Sequence, residues 1–206
     1  MAGFEHQHLK EMKTGLCELH IQGSSSSAAP CEETSETMTI MGGGGGFCGG
    51  PYPDVDKSLR ALAGAAEGFG HAAVGGLNGK LYYVTSLEDD GPGTLREGCN
   101  SKDPLWIVFK VSGTIPLIQG ILVSSNKTID GRGQHVKITG KSLQLFKCEN
   151  VIICNLEFEG GTGPDVDGIQ LKRGTSHVWI DRCTFSNYAD GLIDITLQSS
   201  YVTVSR

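Results

Sequence analysis

Beyond position 120, apolar residues come in short runs that recur. Gln144-Leu145 leads to Val151-Ile152-Ile153, then Leu156 and Phe158. Gln170-Leu171 leads to Val178-Trp179-Ile180, then Cys183 and Phe185, and Asp194-Ile195-Thr196-Leu197 leads to Val202-Thr203-Val204. Ile121-Leu122-Val123 ahead of Thr128-Ile129 reads as an earlier, weaker copy. The period is ~22–27 residues, with two or three short β runs in each unit. No long stretch carries the ~3.6-residue apolar period of an amphipathic helix. One such unit cannot bury its own apolar face, whereas stacked units cover one another, so the pattern predicts a solenoid. A leucine-rich repeat would show Leu at fixed offsets with an Asn or Cys ladder, and neither is seen in the pattern. The chain is therefore expected to be all-β, a parallel β-helix. A β-sandwich is the alternative, because short strands at regular spacing also build one.

Upstream, Lys80-Leu81-Tyr82-Tyr83-Val84 reads as a strand, and Leu105-Trp106-Ile107-Val108-Phe109-Lys110-Val111 is the strongest strand signal in the chain. Turns are expected at 88–93, 112–114 and 130–133, where Asp, Gly, Pro and Ser gather. Residues 94–98 are expected to make one helical turn and residues 59–66 a short helix. Gly68-Phe69-Gly70-His71-Ala72-Ala73-Val74-Gly75-Gly76 is only superficially a phosphate loop. It lacks the Lys-Ser/Thr ending, its third glycine is misplaced for GxGxxG, and it feeds a strand instead of a helix. It is read as a glycine-rich connection at the entry to the fold. Residues 1–50 hold Gly23 followed by four serines, the glycine run 42–46 and the polar run 32–37. Such a stretch buries too little apolar area to offset the entropy of ordering, so a disordered tail is expected there, ahead of one domain over 51–206. His6 and His8 fall in this tail and are read as solvated, not as metal ligands.

Charge and composition then exclude several functions. Lys and Arg number 17 against 23 Asp and Glu, a formal net charge of -6, which is not the basic footprint of a nucleic-acid binder. An acidic polymer would need a bridging cation to approach such a chain. No apolar run reaches the ~20 residues of a membrane-spanning helix, and no apolar signal segment follows Met1. The 30 glycines suit a turn-rich β architecture better than a helix bundle. The seven cysteines are odd in number and form no CxxC pair, which argues against zinc-ribbon and thioredoxin-like folds. Cys154 and Cys183 share the alternation phase of their apolar neighbours and are expected as buried free thiols. Asn126-Lys127-Thr128 fits a glycosylation sequon, which matters only in a secretory compartment.

Candidate chemistry concentrates between Gly161 and Ile195, where two aspartate pairs, Asp165 with Asp167 and Asp190 with Asp194, flank Val178-Trp179-Ile180-Asp181. In a stacked solenoid, residues one period apart lie about 4.8 Å apart along the axis. Asp167 and Asp190 are close to one period apart and Asp194 is expected opposite Gly168, which puts the four carboxylates on one outer face. Crowded like charges cost energy unless a cation or a proton neutralises them. Oxygen donors without His or Cys select Ca²⁺ or Mg²⁺ over Zn²⁺, and flexible loop carboxylates favour Ca²⁺. Taken singly, an Asp beside a glycine is an ordinary turn residue; it is the two pairs at repeat spacing that point to a metal. Asp181 lies inside its strand run and is expected to hold a turn by hydrogen bonding.

From about Gly68 to Arg206 the chain resembles the N-terminal part of plant pectate lyases, a calcium-dependent polysaccharide lyase family. The resemblance rests on Gly68-Phe69-Gly70, Gly91-Pro92-Gly93-Thr94-Leu95-Arg96, Trp106-Ile107-Val108-Phe109, Ser112-Gly113-Thr114-Ile115, Thr128-Ile129-Asp130-Gly131-Arg132-Gly133, Val151-Ile152-Ile153-Cys154-Asn155-Leu156, Val178-Trp179-Ile180-Asp181 and Asp190-Gly191-Leu192-Ile193-Asp194. It implies a right-handed parallel β-helix and cleavage of de-esterified polygalacturonate by calcium-dependent β-elimination. It also implies Ca²⁺ ligands at Asp165, Asp167, Asp190 and Asp194. Ca²⁺ would bridge these carboxylates to the uronate carboxylate and stabilise charge as the neighbouring proton leaves, with the Trp179 run as scaffold beneath. A monomer without membrane or nucleic-acid partners is expected.

Two departures qualify the resemblance. Arg182 stands where the family usually has His in Trp-Ile-Asp-His, and it is read as a structural variant. The family's proposed base, an arginine in an Arg-x-Pro-x-x-Arg motif, has no match before the chain ends at Arg206. The β-helix is therefore expected to be truncated on its C-terminal side and this chain weak or inactive as an enzyme, with activity belonging to a longer parent. The family is usually secreted to the cell wall, although no signal peptide is visible. Two other functions fit the residues: a non-catalytic calcium- and polyuronate-binding β-helix, and a polygalacturonan hydrolase built on paired carboxylates.

Overall fold

A computed structural model of the chain describes residues 59–206; the tail expected over 1–50 lies outside the described residues. After β1 (Lys80–Val84) and a short helix α1 (Leu95–Asn100), the chain winds through β2 (Leu105–Phe109), β3 (Gly113–Pro116) and β4 (Ile121–Leu122). Three further coils follow in the same order: β5 (Lys127–Asp130), β6 (Val136–Gly140) and β7 (Leu143–Phe146); β8 (Glu149–Cys154), β9 (Glu157–Gly161) and β10 (Asp167–Lys172); β11 (Ser176–Asp181), β12 (Thr184–Ser186) and β13 (Gly191–Ile195). Strand β14 (Ser200–Ser205) completes the described residues. Three sheets result, β1-β2-β5-β8-β11-β14 as sheet 1, β3-β6-β9-β12 as sheet 2 and β4-β7-β10-β13 as sheet 3. Every strand pairing is parallel, so the fold is the expected all-β parallel β-helix and not a sandwich. No described helix is long and apolar enough to cross a membrane.

The sequence period is the physical coil. Sheet 1 partners run Lys80, Leu105, Lys127, Val151, Val178 and Val202, which are offsets of 25, 22, 24, 27 and 24 residues. Alternation sends every second side chain inward, where like sits on like. Ile107, Ile129, Ile153 and Ile180 stack in sheet 1, and Ile121, Leu143, Ile169 and Ile193 in sheet 3. In sheet 2, Phe158 and Phe185 stack with ring centroids 4.8 Å apart and planes at 6°. The corner before sheet 1 is a left-handed residue in four successive coils, Asn126, Asn150, His177 and Tyr201, with φ of 58°, 61°, 55° and 54°. Asn150 Nδ2 donates to Asn126 Oδ1 at 2.7 Å, while the His177 and Tyr201 rings stack at 4.9 Å. Asparagine pairing at this corner is confined to two coils. It escapes a search for repeated letters because ring stacking replaces it in the next two coils.

The glycine-rich run does more than enter the fold. Residues 68–79 lie flat across the outer face of sheet 1 as a strap, crossing from β14 back to β2 before turning into β1. Gly70 N donates to Thr203 Oγ1 at 2.8 Å, Val74 N and Gly75 N to Asn150 Oδ1 at 2.8 Å, and Gly76 N to Thr128 Oγ1 at 3.0 Å. At Gly76 a Cβ would sit 1.9 Å from the Leu105 carbonyl oxygen, so only glycine permits this approach. Ala73 of the strap and Ala66 just before it pack on Ile152 and Trp179, and Leu59 packs on Trp106. The helix expected over 59–66 is only a 3-10 turn at Arg60–Leu62. Gly64 at φ 78° breaks it, and the Arg60 guanidinium instead donates to the carbonyls of Gly76, Leu77 and Gly79. The helical turn expected over 94–98 is α1, with the Thr94 hydroxyl accepting from Glu97 N.

Buried charges close the ends of the sheet 1 strands. Asp130 accepts from Trp106 Nε1 at 3.1 Å and from the Arg132 guanidinium, which also donates to the Leu59 carbonyl. Asp181 accepts from Arg182, Ser205 and Arg206 at 2.6–2.9 Å, the hydrogen-bonding role expected of it. Cys99, Cys148, Cys154 and Cys183 are free thiols; Cys154 is buried as expected, whereas Cys183 is half-buried against the core. Burial pushes the thiol pKa of Cys99 and Cys183 up to about 12, that of Cys148 to about 11, and that of Cys154 well above the free value. With Cys17, Cys31 and Cys48 replaced by Ser, the native chain at about pH 8 is expected to react with Ellman's reagent far more slowly than a small-molecule thiol, and all four thiols to react at once in denaturant. Fast native reaction would contradict this packing.

Candidate metal centre

Strands β10 and β13 are neighbours in sheet 3, so the two aspartate pairs meet. The register sets Asp167 against Gly191 and Gln170 against Asp194. Asp194 therefore lies opposite Gln170, not opposite Gly168 as expected. The register follows the 24-residue offset of the repeated runs themselves, Gln170-Leu171 over Asp194-Ile195. Asp194 keeps the outward phase of Gln170 in either alignment, whereas Asp167 shares the phase of Ile169 and meets Gln170 from the first position of its strand. Asp165, Asp167 and Asp194 each present an oxygen within 4.8 Å of the others. Asp190 is exposed, one residue before the register partner of Asp167, and lies outside this triangle.

Each carboxylate is held by a local feature. Asp167 opens β10, is 2% exposed, and has its backbone N–H on Ser142 Oγ at 3.2 Å. Opposite it, a Cβ on Gly191 would lie 2.5 Å from Asp167 Oδ1, so glycine leaves the room this carboxylate occupies. Gln170 Nε2 donates to Asp167 Oδ2 at 3.0 Å and to the Asp165 carbonyl at 2.7 Å, while Gln144 Nε2 donates to Gln170 Oε1 at 3.2 Å. The Gln144–Gln170 pair on sheet 3 thus orients the buried Asp167 carboxylate. Asp165 is a left-handed residue at φ 54° in the preceding loop, a conformation aspartate tolerates better than most.

Sequence reasoning missed Lys172. Its Nζ lies 2.7 Å and 2.9 Å from the two Asp165 oxygens and 3.2 Å from Asp194 Oδ2. The signal was available: Lys172 is two residues from Gln170 and therefore on the same outer face. A search confined to acids passes over it.

Electrostatics record the crowding. Burial is the largest influence raising the Asp167 pKa; the Gln170 hydrogen bond opposes it, the charges of Asp194 and Asp190 add to it, and Lys172 opposes it. For Lys172, burial alone would lower the pKa, but the hydrogen bonds and charges of Asp165 and Asp194 outweigh it and the net shift is upward. Tyr188 is pushed up to about 12 by burial and by the Asp167 charge, and its buried hydroxyl has no hydrogen-bond partner among the described residues. Oxygen donors only, three of them convergent and already attended by an ammonium group, fit a hard cation.

Trp179 is scaffold, but elsewhere. It is 1% exposed beneath the strap on the outer face of sheet 1, whereas the carboxylates belong to sheet 3 and its loops. Arg182, the departure noted in the sequence, is a left-handed corner residue whose Nη1 lies 2.6 Å from Asp181 Oδ2.

Residues 118–206 match the family model described as pectate lyase. Among curated relatives, pectate lyase 1 of Ambrosia artemisiifolia is 42% identical over 175 residues, covering 74% of this chain and 44% of that protein. Probable pectate lyase 4 of Arabidopsis thaliana is 42% identical over 163 residues, covering 75% of this chain and 44% of that protein. The chain spans less than half the length of these two relatives. Among solved structures, the 1.7 Å crystal structure of Jun a 1, the major allergen from cedar pollen, matches with a TM-score of 0.68 at 35% identity, covering 73% of this chain and 51% of that one.

Proposed function

Over the stretch it spans, the chain belongs to the pectate lyase family, and from that premise we propose that it carries the calcium half of a site for β-elimination on de-esterified polygalacturonate. Asp165, Asp167 and Asp194 would hold the ion, and Asp190, the fourth ligand that the resemblance implies, stands exposed just before β13. The observation that carries this reading is the convergence of three carboxylates, two from adjacent strands of one sheet and one from the loop before them, around a position that already attracts a cation. A Ca²⁺ held by these residues would supply the positive charge that an acidic polymer needs to approach them and that stabilises negative charge developing nearby. The chain's own residues do the rest. Gln170 fixes the direction of the Asp167 carboxylate, and Gly191 keeps its space clear. The net charge of -6 opposes a polyanion wherever no cation intervenes.

Proton abstraction is a separate requirement, and no residue of this chain matches the family's arginine motif. The chain is therefore expected to retain polygalacturonate in Ca²⁺ and release it in EDTA, with little or no rise in the ultraviolet absorbance of unsaturated products. A calcium-dependent rise would mean that the chain carries its own base. New reducing ends without absorbance would mean hydrolysis. If retention were the same in calcium and in EDTA, the calcium reading would be wrong.

A further inference from the structure

We propose that Lys172 is the resident counter-cation of the carboxylate cluster, so that Ca²⁺ enters by displacing its ammonium group and binds more weakly than the same carboxylates would otherwise allow. The proposal rests on the calcium reading above. The ammonium group bonds both oxygens of Asp165 and reaches Asp194 Oδ2 at 3.2 Å, which are two of the three convergent carboxylates. The Lys172 side chain is 12% exposed, while Asp194 is 28% and Asp165 69% exposed, so the ammonium group sits on the protein side of the cluster with solvent reaching it past Asp165. Lys172 closes β10, and its stem is anchored by the strand while its tip is not. Four rotatable carbons let the tip leave without moving the backbone. A divalent ion and an ammonium group cannot share one set of oxygens at contact distance, because their repulsion rivals the attraction each feels. Binding is then an exchange of cations. When calcium is scarce, the cluster stays partly neutralised and need not repel itself.

The sign of one mutational effect separates this from a simpler role. If Lys172 only pins the Asp165 loop, removing it frees a ligand and weakens calcium binding. If Lys172 is the competing cation, removing it strengthens calcium binding. Calorimetric Ca²⁺ titrations at fixed ionic strength would compare the parent with Lys172→Met, Lys172→Gln, Lys172→Arg and Lys110→Met, the last a remote lysine over the Tyr83 ring. Lys172→Met and Lys172→Gln are expected to bind about tenfold tighter or more, with Lys172→Arg near the parent and Lys110→Met unchanged. Unchanged or weaker binding in both neutral variants, each verified as folded by circular dichroism, overturns the proposal. An equal gain from Lys110→Met also overturns it, since net charge would then suffice. The calcium reading fails separately, and by a different result: no calcium binding by the parent or by either neutral variant, or an Asp194→Ala affinity equal to that of the parent.

Discussion

Asp167→Asn is expected to lower calcium affinity by about 100-fold or more, because losing a group that only supports a metal ligand already costs ~10–100-fold, while leaving the metal-free chain at least as stable as the parent. The two effects have opposite signs because Asp167 is poorly placed as a bare charge. It is 2% exposed, and Asp194 and Asp190 both oppose its ionisation. Its folded-state pKa is raised above the ordinary carboxylate value. Its contribution to stability is therefore fully present below that ordinary value and lost as pH rises through the raised one. At neutral pH the ionised group is a burden that a cation relieves. Asparagine keeps the shape and the acceptor for Gln170 Nε2, so loss of fold is not the expected cause of weaker binding. Calorimetric calcium titration and urea unfolding in EDTA read the two halves independently. A variant clearly less stable than the parent without metal would show that the carboxylate serves structure first.

Gly76→Ala should unseat the strap and destabilise the chain by about 3 kcal/mol, the upper part of the range for an overpacked site. The methyl group would stand 1.9 Å from a backbone carbonyl oxygen in β2, which cannot swing aside as a flexible side chain would. The backbone at Gly76 is not in the left-handed region, so the penalty is steric and not conformational. Both tryptophans of the chain, Trp106 and Trp179, lie under the segment that includes the strap, and their emission reports on it directly. A red-shifted spectrum with a lowered urea midpoint is expected. Ala72→Ser, on the exposed side of the same strap, should leave both unchanged. Calcium affinity should stay near that of the parent, because the carboxylates sit on sheet 3. If Gly76→Ala kept both emission and midpoint, the close approach described here would be wrong.

The fold was legible in the sequence wherever the physics is periodic. Inward positions repeat every coil and must be apolar, so Ile129, Ile153 and Ile180 announced the stacking that the register bears out. The face of Asp194 survived a two-residue error in alignment because side chains alternate with a period of two. What the sequence hid was not periodic. The strap has no apolar rhythm, and its glycines are fixed by a neighbour contributed from residues far away in the chain. Lys172 was passed over because a carboxylate site was sought as a pattern of acids, although its counter-charge stood on the same face. The helix expected over 59–66 had the composition for it, but Gly64 and the long-range bonds of Arg60 decided otherwise.

The strap also bears on how the molecule assembles in time. A plain solenoid can add coils one after another as they leave the ribosome, each needing only its predecessor. Gly70, made early, bonds Thr203, 133 residues later in the chain. The strap therefore waits for β14 before it can seat along its whole length, and seating it ties β1 and β2 to a strand made much later. Chains paused before β14 should hold an unfastened strap, and the coils it spans should unfold as one body where unlaced coils would come apart one by one.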